Sequence, residues 1–260
     1  MLSYQHAYHA GNLADVHKHA VLAVALEYLA QKDKPLSYLE THAGRGLYDL
    51  GGAEAEKTGE AAQGIERVAG WFAAGHPYAR ALAAVRGRYG PLAYPGSPLI
   101  AAEVLRPDDP MRLAELHPQE VAALRHTLGH RAGVAQQDGV EMALAACPPT
   151  PRRGLCLIDP SYEIKDDYVA MAGLVRQLNR KWNVGVLMMW YPLLDGAPHL
   201  PLTRDLATIP GVVVHEVTFA PVRPGHRMRG SGLVLVNAPY GILPELARLS
   251  ALYAGLPQPE

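Results

Sequence analysis

Seven short apolar runs, at 36–41, 111–116, 134–136, 155–158, 184–190, 212–219 and 233–236, constrain this chain more than any other feature. Runs of that length suit strands better than helices. Helical stretches separate the runs from 111 to 219, and that alternation predicts an α/β domain, a mostly parallel sheet with helices on both faces. The last two runs are joined by the Gly/Arg-rich segment 221–232, which is too short for a crossover helix. Those strands are therefore expected to be antiparallel neighbours. Upstream, 13–31 reads as an amphipathic helix that stops before Asp33 and Pro35, and 36–41 runs into the glycine turn His42-Ala43-Gly44-Arg45-Gly46,.

Between 50 and 94 the character changes. Ile65, Val68, Trp71 and Phe72, then Ala81, Leu82 and Val85, recur at helical spacing, and no convincing strand interrupts them. The division expected is a main domain of 1–49 and 95–260 with a small helical insertion at 50–94.

The 260 residues can bury a full core without disulfides or metals,. A net charge of -1 means that any nucleic-acid partner must be met by a local basic patch, although twelve histidines could add charge below about pH 6.5,. Cys147 and Cys156 have neither metal nor disulfide spacing and read as buried, inert thiols,. The N-terminus lacks a signal-peptide pattern. The most apolar stretch, 20–30, is about half a membrane span and contains Glu27,. The expectation is a cytoplasmic protein without membrane contact.

In a doubly wound sheet, ligands sit beyond the carboxyl ends of the strands, so the residues that follow each run carry the functional reading. Gly44-x-Gly46 allows close backbone approach, or is a plain turn. Glu115, before Leu116-His117-Pro118, can accept from both hydroxyls of a ribose, or stand solvated ahead of a helix. Asp138-Gly139 can receive an adenine amine and leave room for its ring, or simply cap a helix,. The sharpest segment is Leu155-Cys156-Leu157-Ile158-Asp159-Pro160-Ser161-Tyr162. Its apolar run buries the strand, so Asp159 emerges at the carboxyl end, and Pro160 keeps the backbone extended. A carboxylate plus a backbone carbonyl can accept both protons of an exocyclic amine, and Tyr162 can stack on a base splayed out of its stack, or the segment is a turn with a buried tyrosine.

Pro95-Gly96-Ser97-Pro98 opens a helix with Ser97 as expected N-cap,. The N-terminal segment, Tyr4 to His19, is dense in polar and aromatic residues. A metal site is the rival reading there, but His17 and His19 face different sides of a helix and no metal motif supports one,. The segment Arg223-Pro224-Gly225-His226-Arg227-Met228-Arg229-Gly230 reads as a basic loop, for phosphates or merely solvated.

Assembled, these residues resemble the RlmJ-type 23S ribosomal RNA adenine-N6 methyltransferases across essentially the whole chain. The matching motifs are Tyr4-x-His6-x-x-His9-Ala10-Gly11-Asn12-x-Ala14-Asp15-x-x-Lys18-His19, Leu39-x-Thr41-His42-Ala43-Gly44, Pro95 to Pro98, Glu115 to Pro118, Asp138-Gly139 and the Asp159 tetrad. The resemblance implies a Rossmann-like class I S-adenosylmethionine-dependent methyltransferase fold with a small helical insertion. It implies that His19, His42, Ser97, Glu115, Asp138, Gly139 and Asp159 line the S-adenosyl-L-methionine pocket, with no metal. Asp159, Pro160 and Tyr162 would act at the amine, and Tyr4, His6 and Lys18 would meet 23S ribosomal RNA. The protein would act as a monomer, before ribosome assembly is complete. One departure stands out: the family's tetrad reads Asp-Pro-Pro-Tyr, and Ser161 here relaxes the backbone before Tyr162. The tetrad does not by itself distinguish RNA from DNA, and a non-catalytic RNA-binding protein on the same fold is the other alternative.

Overall fold

The computed structural model describes residues 5–164, 166–223 and 225–258. A 3-10 turn, His6–Tyr8, leads into α1 (Leu13–Ala30), where the Asn12 side chain accepts the Asp15 amide at 2.8 Å as N-cap,. The amphipathic expectation for this helix is corrected: α1 is buried on nearly every face, between the sheet and other helices. Its polar residues Asp15, His17, Lys18 and His19 are buried too, and each has a partner inside the protein,.

Then follow β1 (Ser37–Glu40), β2 (Leu47–Asp49), α2 (Ala53–Thr58), α3 (Glu60–Gln63), α4 (Ile65–Val68), α5 (Pro77–Tyr89), β3 (Ala93–Pro95), α6 (Ser97–Val104), β4 (Met111–Glu115) and α7 (Pro118–Leu128). The second half alternates: β5 (Gly133–Gln136), α8 (Gly139–Ala146), β6 (Gly154–Ile158), α9 (Asp166–Lys181), β7 (Val186–Leu194), α10 (Leu200–Leu206), β8 (Val213–Thr218), β9 (Met228–Val236) and α11 (Leu243–Ala254).

Seven strands form the main sheet in the order β5-β4-β1-β6-β7-β9-β8. The pairs β1–β4, β4–β5, β1–β6 and β6–β7 are parallel, while β9 lies antiparallel between β7 and β8. The chain thus reverses direction across the sheet between β1 and β6, and a ligand crevice is expected at that switch point. Both central strands are buried along their whole length, as parallel strands covered on both faces must be,.

Two further features differ from the sequence reading. β2 and β3 pair antiparallel and close the base of segment 50–94; three-residue strands carry too little alternation to be recognised. And β9 starts at Met228, so Arg229 and Gly230 belong to a strand, not to a loop. Gly230 and Gly232 sit there because a Cβ would overlap the Val217 carbonyl oxygen and the Tyr191 ring respectively,.

Segment 50–94 shares the core of α1: Ile65, Val68, Tyr78, Ala81, Leu82 and Val85 pack into the same cluster. It also grips the N-terminal segment. The buried Glu60 carboxylate meets His9 Nδ1 and Asn12 Nδ2, each at 2.9 Å, and the Ile65 amide donates to the Gly11 carbonyl at 2.8 Å. A glutamine has one acceptor oxygen where Glu60 uses two. Glu60→Gln is therefore expected to lower stability by about 1–3 kcal/mol in a denaturant titration, since one buried partner loses its acceptor. An unchanged midpoint contradicts the tie.

Candidate functional site

Beyond the carboxyl ends of β1, β4 and β6 lies a cavity of about 670 Å³. It is lined by His6, Lys18, His19, His42, Ser97, Glu115, Asp138, Gly139, Asp159, Pro160 and Tyr162. Every residue that the family resemblance assigns to the donor, the amine or the RNA therefore lines one cavity, except Tyr4, which lies outside the described residues.

Glu115 ends β4 with its carboxylate already engaged: Oε1 accepts the Leu116 and His117 amides at 2.8 Å, and Oε2 accepts the Gly44 amide at 2.8 Å. One lone pair on Oε2 is not used by these bonds. Asp138 caps α8, its Oδ1 accepting the Glu141 amide at 3.0 Å; the capping and cavity-lining readings hold together. Gly139 is glycine for a reason the sequence hid. A Cβ there would overlap the Thr41 carbonyl oxygen, so the first turn of α8 rides directly on the backbone that leaves β1. His42 bonds Thr41 Oγ1 through Nδ1 at 2.7 Å. Burial pushes its imidazole down, against the opposing pull of Asp159, Glu115 and Asp138,.

Ser97 corrects an expectation. Gly96 is the N-cap of α6, and the Ser97 hydroxyl instead donates to the buried Glu40 carboxylate, whose other oxygen accepts from Tyr38 at 2.8 Å. Glu40, on β1, carries no motif: one partner, Tyr38, lies two residues back on the same face of the strand and the other, Ser97, on α6,. Burial pushes its carboxyl up to about 8. His19 is similarly turned into the core, with Nδ1 2.8 Å from the Tyr94 hydroxyl, and burial pushes it down to about 3.

These two groups give folding stability a defined pH dependence. His19 refuses, when folded, a proton that the unfolded chain takes up below about pH 6.5, so its contribution is present above that pH and is lost as pH falls toward 3. Glu40 keeps, when folded, a proton that the unfolded chain releases above about pH 4.5. Its contribution is present below that pH and is lost as pH rises through 8. Each slope is about 1.4 kcal/mol per pH unit at most. Denaturant titrations from pH 4 to 9 are expected to show Glu40→Gln gaining stability relative to the parent as pH rises toward 9. Parallel pH profiles would contradict the buried proton.

On the other side of the cavity, Lys18 Nζ lies 2.6 Å from Asp159 Oδ2 and 3.0 Å from Asp15 Oδ1. Burial alone would lower this ammonium, but the two carboxylates outweigh it and hold it above the ordinary lysine range. Asp15 also accepts from His6 Nε2 at 2.8 Å and from the Gly11 amide at 3.0 Å. The Lys18 charge, expected to face RNA, is thus committed to carboxylates within the protein. The Asp159 side chain is 13% exposed, enough to face the cavity while held from behind.

Tyr162 has φ 50°, left-handed backbone that a tyrosine rarely adopts,. Its hydroxyl donates to the Trp190 carbonyl at 2.9 Å, and its ring lies 4.5 Å from that of Tyr168. Ser161 therefore does not leave Tyr162 loose. In the basic segment, Arg227, His226 and Met228 line the cavity, whereas Arg229 Nε pairs with Asp195 at 2.7 Å. Among the described residues no group of three or more His, Cys, Asp or Glu could hold a metal ion, and no helix is long and apolar enough to cross a membrane.

This sheet order, with its single antiparallel strand and a cavity at the switch point, defines a Rossmann-like class I S-adenosylmethionine-dependent methyltransferase fold,. The family described as RsmJ: Ribosomal RNA large subunit methyltransferase D, RlmJ, matches residues 33–253. The ribosomal RNA large subunit methyltransferase J of Escherichia coli (strain K12) is 40% identical over 250 residues, covering 92% of this chain and 88% of that protein. Its namesake from Haemophilus influenzae (strain ATCC 51907 / DSM 11121 / KW20 / Rd) is 39% identical over 251 residues, with the same coverage. A crystal structure of a Legionella pneumophila (str. Philadelphia 1) protein aligns with TM-score 0.84 at 35% identity, over 94% of this chain and 92% of that one. The chain belongs to the RlmJ family of ribosomal RNA large subunit methyltransferases.

Proposed function

We propose that this chain methylates the exocyclic N6 amine of an adenine in 23S ribosomal RNA, with S-adenosyl-L-methionine as donor. The observation that carries the reading is the Asp159 carboxylate, set at the end of a fully buried strand, braced by Lys18 and facing a cavity it shares with Glu115 and Asp138. The cavity is large enough for a ligand of nucleoside size beside a base. Its carboxylates suit a cationic sulfonium, and Glu115 has an acceptor site left for a ribose hydroxyl. We assign His19, His42, Ser97, Glu115, Asp138, Gly139 and Asp159 to the donor's pocket. When bound, the donor supplies an electrophilic methyl group.

The residues act by alignment and charge. Asp159 accepts one amine hydrogen and the Pro160 carbonyl the other, which draws the nitrogen toward a tetrahedral, nucleophilic form. As that nitrogen would take the methyl from the sulfonium, with the S–C bonding pair left on sulfur, it becomes cationic; the Asp159 carboxylate stabilises that charge until the extra amine proton is released to solvent. Tyr162 lies beside the base. Lys18 serves Asp159, while Tyr4, His6 and Arg227 meet the RNA. Segment 50–94 is an insertion into the methyltransferase domain of 1–49 and 95–260, and it steadies the RNA-facing N-terminal segment through Glu60.

The test incubates pure protein with labelled S-adenosyl-L-methionine and unmodified 23S RNA, then maps the modified nucleotide. Label at adenine N6 is expected. RNA binding without transfer refutes the enzyme reading, and preference for duplex DNA in competition refutes the substrate. Arg227→Glu is expected to weaken RNA binding and make the log Kd against log salt slope shallower by about 1; an unchanged slope rejects that contact.

A further inference from the structure

Trp190, on β7, carries no motif, yet three contacts around Asp159 converge on it. Lys18 Nζ lies 5.5 Å from its ring centroid, the Tyr162 hydroxyl donates to its carbonyl at 2.9 Å, and its indole Nε1–H donates to Ser231 Oγ at 2.9 Å. An indole only donates. Ser231 Oγ accepts there and also hydrogen-bonds His17 Nδ1 at 2.8 Å. The chain continues from His17 Nε2 to His215 Nδ1 at 2.8 Å and from His215 Nε2 to Ser250 Oγ at 2.8 Å. Ser231 and His17 are fully buried, and burial pushes both imidazoles down, which keeps them neutral as these bonds require. The chain runs from the cavity wall through α1 and β8 to α11, and fixes the indole in one orientation.

We infer that Trp190, pinned through Ser231 and His17, is a positioning residue for methyl transfer: its ring steadies the Lys18 ammonium that braces Asp159, and its carbonyl fixes Tyr162. Cation–π attraction is strongest over an indole, so the ring adds a third stabilising face to an ammonium already held by two carboxylates. The inference rests on the proposed role of Asp159.

The test is a cycle of Trp190→Phe, Ser231→Ala and the double variant, with kcat and both KM values for methyl transfer to 23S RNA. Phe keeps a ring but loses the N–H. Each single variant is expected to lower kcat roughly tenfold with KM changed less than about twofold, and Ser231→Ala is expected to add little in the Trp190→Phe background. Unchanged kcat in Trp190→Phe overturns the inference, as do fully additive effects; Trp190→Phe decides alone if Ser231→Ala fails to fold. Absence of transfer by the parent chain overturns both readings. Transfer by the parent to another base overturns only the adenine assignment, and the kcat ratios still decide Trp190.

Discussion

Asp159→Asn is expected to reduce methyl transfer roughly 10²–10³-fold or more, while far-UV circular dichroism stays that of the parent. An amide fills the same space, but it brings an N–H donor and no charge to the nitrogen that becomes cationic, and preorganised charge at such a position carries this order of effect. The structure adds a consequence for stability. Lys18 Nζ, 2.6 Å from Asp159, is buried and would keep Asp15, at 3.0 Å, as its carboxylate partner. Removing one partner of a buried pair costs about 3–5 kcal/mol when nothing replaces it. Asp15 reduces that cost, and the asparagine oxygen can still accept from the ammonium. Asp159→Ala removes both charge and acceptor, so it is expected to melt below Asp159→Asn, with equally little transfer. Single-turnover rates and thermal melts of the two variants check the pair. Near-parental turnover by either refutes the role of Asp159, and equal melting of both refutes the buried bridge.

Gly139→Ala carries the largest expected effect on stability. The new methyl would overlap the carbonyl oxygen of Thr41, which is backbone just beyond β1 and cannot swing aside. The N-terminus of α8 must lift, and it carries Asp138, whose side chain caps the same helix. Overpacking costs about 1–3 kcal/mol and occasionally more, and a clash with immovable backbone belongs at the upper end; about 3 kcal/mol lowers the melting temperature by roughly 6–12 °C. Because Asp138 and Gly139 line the cavity, donor affinity is expected to fall as well, measurable by titration calorimetry. Gly173→Ala is the control. It sits in α9 with nothing within 4 Å of a Cβ, so it is expected to gain about 0.5–1 kcal/mol from its better helix propensity. Equal melts of the two variants would refute the close approach.

Much of the sheet was legible because each strand carries its own apolar run, and the antiparallel pair β8–β9 followed from the length of its connection. Glu115, Asp138 and Asp159 followed from motifs at strand ends, where this class of fold places ligands, whereas His6, Lys18, His19 and Ser97 followed only from the family resemblance. Other features were opaque for identifiable reasons. The burial of α1 is opaque because Asp15, His17, Lys18 and His19 are polar, yet each is buried against a partner. Ser97 satisfied every local rule for an N-cap and bonds Glu40 instead. Arg229 looked like a loop cation and lies in β9, bonded to Asp195.

By itself, then, the sequence determined the alternation of strands and helices, the family and the residues at the strand ends, since those signals act over a few neighbouring positions. Tertiary structure alone decided which charges and hydrogen bonds those residues hold. Lys18 finds Asp159 across 141 residues and His17 finds Ser231 across 214. A buried polar group must be satisfied by whatever the fold brings near it, and no local pattern encodes a partner that distant.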